Sequence, residues 1–316
     1  MNPSLKQARA RAALYDSIRA FFKTRDVLEV ETPILSRGAL PDPVILSFST
    51  QYHGHLLPQG DTFYMQTSPE FPMKRLLAAQ IGSIYQICKT FRNGEAGRWH
   101  NPEFTMLEWY RMGFNHHQLM DEMDALLQVT LSCQAADRIT YRDMFKEVLG
   151  LDLLLADIDT LKQCAAENNI QIMGSLHEKD EWLNVLMSHA IEPTLGMQRP
   201  IFVYDFPASQ AALARVLPGE PPVAARFEVY VKGIELANGF YELTDANEQR
   251  QRFVKNNQDR AQANMPQMPL DENFLQSLEQ GMPDCSGVAL GVDRLLALQL
   301  GLDNIQDILH FNWLNA

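Results

Sequence analysis

Residues 91–110 of this 316-residue chain read FRNGEAGRWHNPEFTMLEWY, and their pattern decides the fold. Ser83–Phe91 and Glu103–Tyr110 are rich in β-forming residues and predict two strands. The polar, glycine-containing segment between them predicts a long hairpin loop. That loop carries two arginines, and a guanidinium binds phosphate oxygens through paired hydrogen bonds without losing its charge. The loop therefore fits either a nucleoside triphosphate site or a solvated turn.

A second informative segment is GVALGVDR, residues 287–294. It predicts a strand over Val288–Val292, followed by a helix over Arg294–Leu300 that ends at Gly301. Small residues at such a junction allow a ligand to approach closely, and Arg294 would meet an anion beside free backbone N–H groups. Tight packing of the helix on the sheet, with a surface arginine, explains the same spacing equally well.

Three glutamates, Glu228, Glu235 and Glu242, follow one another at intervals of seven residues. They fall in two β-rich runs joined by Lys232-Gly233, a pair that predicts a tight hairpin. Glu228 and Glu235 would then lie on neighbouring strands, where converging carboxylates suit Mg²⁺. The alternative is an exposed polar face of the sheet.

The composition is that of an ordinary globular protein, with 46% hydrophobic and 21% charged residues. It excludes a disordered chain, a collagen-like chain and a simple coiled coil. The net charge of −12 disfavours a protein built mainly to bind nucleic acid and favours a basic surface on any protein partner. No apolar run approaches the ~18 residues of a membrane helix, the N-terminus is a poor signal peptide, and four scattered cysteines favour reduced thiols in the cytoplasm.

The order of the remaining elements predicts one α+β domain over residues 1–316, with a mostly antiparallel sheet flanked by helices. Residues 140–200 are predicted to be mostly helical and show no recognisable chemistry. Ser68-Pro69 predicts the start of a helix, with Ser68 as its N-cap. Other predicted elements are helices over 5–24, 70–80, 248–263 and 273–280 and strands over 44–50, 62–67 and 201–206.

Three segments together resemble the signature motifs of class II aminoacyl-tRNA synthetases, in the order of that class. VLEVETP (27–33) resembles motif 1, residues 91–110 resemble motif 2, and GVALGVDRL (287–295) resembles motif 3. TSPEF (67–71) and KGIELANGFYELTDANEQRQRF (232–253) resemble the lysyl-tRNA synthetase branch. The resemblance covers nearly the whole chain. It implies the class II catalytic fold, ATP as a substrate, Mg²⁺, and a homodimer built on motif 1.

The resemblance also implies roles for single residues. Arg92 would hold the α-phosphate where negative charge grows during attack, and Arg294 would hold the γ-phosphate. Glu228 and Glu235 would bind Mg²⁺. An amino acid with two amines would lie among carboxylates, because each buried charge needs a partner. The implied amino-acid pocket is Ser68, Pro69, Glu70, Glu108, Tyr110, Asn238, Phe240, Glu242 and Ala289, and the implied ATP site is Arg92, Asn93, Gly94, Asn101, Phe104, Glu235, Leu236, Gly291 and Arg294.

Two positions depart from the tRNA-charging relatives. Their motif 2 has a glutamate two residues after the arginine, where this chain has Gly94 with Glu95 next. The adenine contact of that glutamate is then lost, shifted along the loop or made by the backbone. Ala289 stands where those relatives have glycine, and one methyl in a packed pocket changes amino-acid preference by ~1–3 kcal/mol. Such a change fits the displaced amine of a β-amino acid.

Lysyl-tRNA synthetases carry an anticodon-binding OB-fold before the catalytic domain, whereas here the motif 1 helix begins within the first ten residues. The chain therefore resembles the free-standing paralogue family that attaches (R)-β-lysine to a lysine of translation elongation factor P. CSGVALGVDRL (285–295) and FPASQAALA (206–214) resemble that family as well. The expected partners are elongation factor P and β-lysine, without stable tRNA binding. The alternatives are a minimal lysyl-tRNA synthetase, a non-catalytic synthetase-like subunit and an amino-acid ligase that makes a small metabolite.

Overall fold

The computed structural model describes residues 4–55, 57–172 and 174–316, and the protein divides into two compact units. The terminal unit is formed by Met1–Phe114 with Leu243–Ala316, and the inserted unit by Asn115–Glu242. Both units contain strands and helices, which confirms the predicted α+β class. The prediction that residues 1–316 form a single catalytic domain stays a prediction.

The terminal unit begins with a helix whose apolar residues recur at helical spacing. Leu14, Ile18, Phe21 and Phe22 are all buried, so one stripe of this helix faces the core, as the periodicity predicts. The predicted strands on either side of the motif 2 loop are also found. The elements of this stretch are α1 (Leu5–Lys23), β1 (Leu28–Glu29), β2 (Leu35–Ser36), β3 (Ser49–Gly54), β4 (Leu57–Met65), α2 (Glu70–Ala78), β5 (Ile84–Phe91) and β6 (Glu103–Met112).

The inserted unit has a hydrophobic cluster of its own. The ring of Tyr141 lies 4.8 Å from that of Phe145 and 4.7 Å from that of Phe206, between ring centroids, and all three are buried. Three of its helices fall within residues 140–200, where helix was predicted. The elements are α3 (His116–Leu131), β7 (Asp137–Thr140), α4 (Tyr141–Leu149), α5 (Ile158–Glu167), α6 (Lys179–Leu186), β8 (Ile201–Pro207), β9 (Val216–Leu217), β10 (Val223–Val231) and β11 (Ile234–Tyr241).

The last stretch of the chain belongs to the terminal unit again. Its first two helices begin one or two residues before their predicted starts, because the side chains of Asp245 and Asp271 cap them. Of the helices in the described ranges, none is both long and apolar enough to cross a bilayer. The elements are α7 (Ala246–Gln262), α8 (Glu272–Glu279), β12 (Cys285–Gly291) and α9 (Val292–Gln299), followed by a 3₁₀ turn at Ile305–Asp307.

The main sheet of the terminal unit has the strand order β1-β5-β6-β12, with β1 parallel to β5 and the other pairs antiparallel. On one face, Phe22 of α1 stacks on Tyr85 and meets Trp109 edge-on, at 4.4 and 5.3 Å between ring centroids. Because side chains alternate along a strand, the residues beside these aromatics point to the opposite face. That opposite face carries the polar residues of the hairpin.

The sheet of the inserted unit has the order β11-β10-β8-β7, with β9 paired to β10. The turn between β10 and β11 is Lys232-Gly233, with φ of 52° and 74°. Both residues are left-handed, as a two-residue hairpin turn that matches strand twist requires. The predicted hairpin is therefore confirmed.

Two local predictions are wrong in detail. Pro69 is the N-cap of α2, no side chain caps this helix, and Ser68 Oγ accepts only a long 3.4 Å bond from the N–H of Glu70. The strands predicted over 44–50 and 62–67 are found as β3 and β4, which form a small sheet with β2. Because β3 is exposed along nearly its whole length, it lacks the apolar alternation that would mark its bounds.

Candidate active site

A buried carboxylate stands at the centre of the polar face of the terminal unit's sheet. Glu108 on β6 pairs with Gln86 on β5 and with Ala289 on β12, and directly opposed residues point to the same face. Glu108 is 2% exposed, and Oε1 accepts a 2.6 Å hydrogen bond from the hydroxyl of Tyr110. The structure thus brings three residues of the implied amino-acid pocket, Glu108, Tyr110 and Ala289, to one face of the sheet.

Glu70, another residue of the implied pocket, is neutralised by its own helix. It is the first residue of α2, and its carboxylate forms an ion pair with Lys74 one turn later. The Lys74 side chain is fully buried and its ammonium lies 5.9 Å from the ring of Phe274. The sequence analysis missed Lys74, although an acid followed by a lysine four residues later is a recognisable pair on a helix.

Arg92 opens the loop between β5 and β6. Its guanidinium lies 5.2 Å from the ring of Phe104 and 3.8 Å from the carboxylate of Glu95. Its Nε is buried without a hydrogen-bond partner in the described part of the chain. The loop start is fixed by its backbone, since Arg92 N donates to Pro102 O at 2.9 Å and Asn93 N to Leu46 O at 2.8 Å. These contacts hold the Arg92 guanidinium in place, and its Nε–H can still donate a hydrogen bond.

Gly94 has a conformational reason to be glycine. Its φ is +85°, a left-handed value that other L-residues adopt at a cost, whereas an added Cβ would meet no atom within 4 Å. The next carboxylate, that of Glu95, lies 3.8 Å from Arg92 and 4.0 Å from His100. The glutamate one residue later thus lies beside Arg92 and His100 of its own loop.

Arg294, the third residue of α9, reaches the same loop from the other side. Its Nε donates to Trp99 O at 3.2 Å, and its Nη2 lies 2.7 Å from His100 Nε2. A guanidinium only donates, so His100 Nε2 is the acceptor in this contact. A Cβ added at Gly291, the helix N-cap, would lie 3.6 Å from the Arg294 side chain, an ordinary van der Waals distance. Both predicted phosphate-binding arginines therefore contact the same loop, Arg92 at Glu95 and Arg294 at Trp99 O and His100. The sequence analysis did not assign His100.

Asn101 is held on both sides of its carboxamide. Its Nδ2 donates to Glu103 O at 2.6 Å, and its Oδ1 accepts from Trp313 N at 3.2 Å. Asn101 is also buried, with 5% exposure. The contacts in this structure are those of a residue that positions the loop, and its role toward ATP stays a prediction.

In the inserted unit, the β10–β11 hairpin places two acidic residues on one face, and a β-bulge follows them in β11. Glu228 pairs with Asn238 and Tyr230 with Glu235, so Leu236 is left without an opposite residue. The extra residue reverses the alternation of β11 at this point. Glu235 shares the face of Tyr230 and Glu228 because it stands opposite Tyr230. The bulge brings Asn238 to the same face, although Asn238 is three residues after Glu235.

Glu228 is a buried carboxylate with its partners in the same strand. Its Oε1 lies 2.5 Å from Arg226 Nη2, and the hydroxyl of Tyr230 donates to Oε2. Burial raises the pKa of Glu228 and repulsion from Glu235 adds to this, while the cation of Arg226 opposes it. A neighbouring cation is thus favourable at this carboxylate pair.

The residues of the inserted unit fit the donor chemistry of Mg²⁺. Carboxylate oxygens are its preferred protein ligands, and the ion usually keeps waters or phosphate oxygens as its other ligands. Across the described ranges, no cluster of three or more His, Cys, Asp or Glu side chains is arranged to hold a metal. The two carboxylates that share one face, Glu228 and Glu235, are the residues that would hold the ion, and water or substrate oxygens would be its other ligands.

The other predicted residues of the inserted unit lie along β11. Asn238 Oδ1 accepts from Arg226 Nε at 3.3 Å, and Phe240 is paired with Arg226 across the ladder. Glu242 is buried, with 1% exposure, and its backbone forms a bridge with Ala214. Asn238 and Phe240 thus share the face of the two acids, and Glu242 follows at the end of the strand.

Comparison with known proteins gives consistent results. The family model of tRNA synthetases class II (D, K and N) matches residues 2–314. A protein of Vibrio atlanticus is 50% identical over 98% of this chain and 96% of its own length, and one of Vibrio cholerae is 51% identical over 98% and 95%. A protein of Edwardsiella ictaluri is 49% identical over 96% and 93%. All three relatives bear the name elongation factor P–(R)-β-lysine ligase.

Proposed function

The chain belongs to the class II tRNA synthetase family of the D, K and N type, and from this premise we propose that it is an ATP-dependent ligase that attaches (R)-β-lysine to a lysine of elongation factor P. The observation that carries the proposal is about 50% identity to ligases of that name over 98% of the chain. Ala289 beside Glu108 supports it, because a methyl at this position fits an amino acid whose amine is displaced.

The first step is the formation of an aminoacyl-adenylate. A carboxylate oxygen of β-lysine attacks the α-phosphorus of ATP, the bond to the β-phosphate oxygen breaks, and pyrophosphate leaves. Arg92 stabilises the charge that grows on the α-phosphate, and Arg294 binds the γ-phosphate end. Positioning and fixed charge provide most of the acceleration in such a reaction. Bound Mg²⁺ at Glu228 and Glu235 would supply further charge neutralisation for the phosphates.

The second step transfers the acyl group to the protein substrate. The neutral ε-amine of a lysine on elongation factor P attacks the carbonyl carbon of the adenylate, AMP leaves and an amide forms with loss of one proton. In this proposal, the carboxylates of Glu108 and Glu70 bind the amines of β-lysine. Lys74 forms an ion pair with Glu70, and the hydroxyl of Tyr110 donates a hydrogen bond to Glu108.

The same proposal includes a cytoplasmic homodimer formed through motif 1. Leu28, Ile34 and Leu35, in and beside this motif, are 55%, 41% and 44% exposed. Apolar side chains clustered at the surface are typical of a contact between subunits. Light scattering at micromolar concentration should give twice the mass of the chain, and a monomeric mass would contradict the dimer.

The decisive experiment is the intact mass of elongation factor P after incubation with this protein, ATP and (R)-β-lysine. We expect the mass of elongation factor P to increase by one lysyl residue. In a parallel reaction with total tRNA and L-lysine, the tRNA should remain uncharged. Charged tRNA with unmodified elongation factor P would make the protein a minimal lysyl-tRNA synthetase. Arg92→Ala should lose pyrophosphate exchange while its circular dichroism spectrum shows that it is folded. Normal exchange in that variant would refute the assignment of Arg92.

A further inference from the structure

The C-terminal segment, residues 303–313, lies against the motif 2 loop, residues 92–102. Ile305 N donates to Arg98 O at 3.0 Å, and Trp313 N donates to Asn101 Oδ1 at 3.2 Å. The side chains of Arg98 and Asp303 also form an ion pair, but they are 60% and 80% exposed. Exposed pairs of this kind contribute little, so the backbone contacts matter more.

Gln306 makes the central contact between the two segments. Its Nε2 donates to Gly97 O and to His100 O, both at 3.2 Å. The same two residues close a tight turn, since Gly97 N donates to His100 O at 3.0 Å and His100 N to Gly97 O at 3.4 Å. Because both partners of Gln306 are carbonyl oxygens, only the NH₂ end of its amide fits there.

The turn that Gln306 holds is the one that supports Arg294. Trp99 O accepts from Arg294 Nε at 3.2 Å, and His100 Nε2 accepts from Nη2 at 2.7 Å. Trp99 lies inside the turn that Gln306 contacts, and His100 is one of the two residues whose carbonyl oxygens Gln306 binds. A displacement of the 97–100 turn would therefore redirect the guanidinium.

We propose that Gln306 is a positioning residue for ATP. It fixes the 97–100 turn, the turn fixes Arg294, and Arg294 thereby meets the phosphate end of the nucleotide in a set orientation. Gln306 itself touches only the loop in this scheme. The inference rests on the proposed function, in which Arg294 binds ATP.

Two substitutions test the proposal. Gln306→Glu keeps the shape and places an acceptor oxygen against two carbonyls, and Gln306→Met removes the donor without adding charge. Gln276→Glu, at an exposed position of α8, is the matched control for the charge change. The readouts are the KM values for ATP and for β-lysine in pyrophosphate exchange, the thermal midpoint, and the rate of trypsin cleavage after Arg98.

In both Gln306 variants, KM for ATP should rise about five- to tenfold, as expected for the loss of one or two hydrogen bonds. KM for β-lysine and the thermal midpoint should stay close to those of the parent, and cleavage after Arg98 should be faster. Gln276→Glu should match the parent in every readout. Asp303→Asn should leave KM for ATP within twofold, because the Arg98 pair is exposed.

An unchanged KM for ATP in both Gln306 variants would overturn the proposal. An equal rise in both KM values with a lower thermal midpoint would also overturn it, because that pattern indicates general structural damage. If the parent protein exchanges no pyrophosphate, the proposed function fails instead. Equilibrium binding of ATP to the parent and to the Gln306 variants would then still decide whether the glutamine positions the site.

Discussion

Lys74→Met removes a fully buried ammonium and leaves the carboxylate of Glu70 behind. The Lys74 side chain is 0% exposed and that of Glu70 is 13% exposed, so water replaces the lost partner only in part. Methionine fills a similar volume with a flexible apolar chain, so the packing around Phe274 should change little. The variant therefore isolates the electrostatic part of the interaction.

The size of the effect follows from this burial. Breaking a buried ion pair by removing one partner costs about 3–5 kcal/mol, because the remaining charge is uncompensated. The partial exposure of Glu70 places the expected loss in the free energy of unfolding near the lower end, at about 3 kcal/mol. Adding Glu70→Gln removes the orphaned charge, so the double variant should recover most of that loss.

The assay is urea denaturation of the parent, both single variants and the double variant, with Lys255→Met as the matched control. Lys255 and Asp259 form a pair with the same spacing on α7, but their side chains are 67% and 33% exposed. That control should lose at most about 0.5 kcal/mol. Equal losses for Lys74→Met and Lys255→Met, or a double variant as unstable as the sum of the single variants, would refute the reasoning.

Three further predictions concern the amino-acid pocket, the motif 2 loop and an ion pair between Arg19 of α1 and Glu29 of β1. Ala289→Gly should shift the ratio of exchange rates from β-lysine toward L-α-lysine by about 10- to 200-fold, and an unchanged ratio would show that this methyl does not select the substrate. Gly94→Ala should lower the free energy of unfolding by about 1 kcal/mol because φ is +85°, whereas Gly97→Ala, with equal space and no positive φ, should be neutral in the same denaturation series. Glu29→Gln should cost less than about 1 kcal/mol at pH 7, because the pair with Arg19 is half exposed. The Arg19 hydrogen bonds lower the pKa of Glu29. The stabilisation from this pair is therefore present above about pH 4.3 and disappears as the pH falls through the lowered pKa. A difference in the free energy of unfolding between the parent and Glu29→Gln that persists at pH 2 would contradict this.

The hairpin around residues 91–110 could be predicted from sequence because its signals are local. Each strand is a run of β-forming residues, and the loop between them is polar, so no distant contact is needed to recognise the element. Lys232-Gly233 is equally local, since a two-residue turn with positive φ favours such a pair. The resemblance to synthetase motifs then assigned residues that the structure places on one face, such as Glu108, Tyr110 and Ala289.

The parts that could not be predicted depend on contacts between distant residues. The contact of Gln306 with the 97–100 turn joins positions about 200 residues apart, and a glutamine in a C-terminal segment carries no signal of its own. The bulge at Leu236 is set by its pairing with β10, which no hydropathy period indicates. The burial of Lys74 is a tertiary effect, since helix spacing predicts the pair with Glu70 but not its exclusion from water.

The bulge at Leu236 also bears on how insertions and deletions in this lineage should be interpreted. A chain that lost the unpaired Leu236 would keep its turn and its hydrogen-bonded ladder, because Glu235 would still stand opposite Tyr230 and Asn238 opposite Glu228. The acid and the amide would then be two residues apart and would still point to the same face of the sheet. The number of residues between Glu235 and Asn238 is therefore a poor criterion for sorting relatives, and pairing across the ladder is what shows which residues share the acidic face.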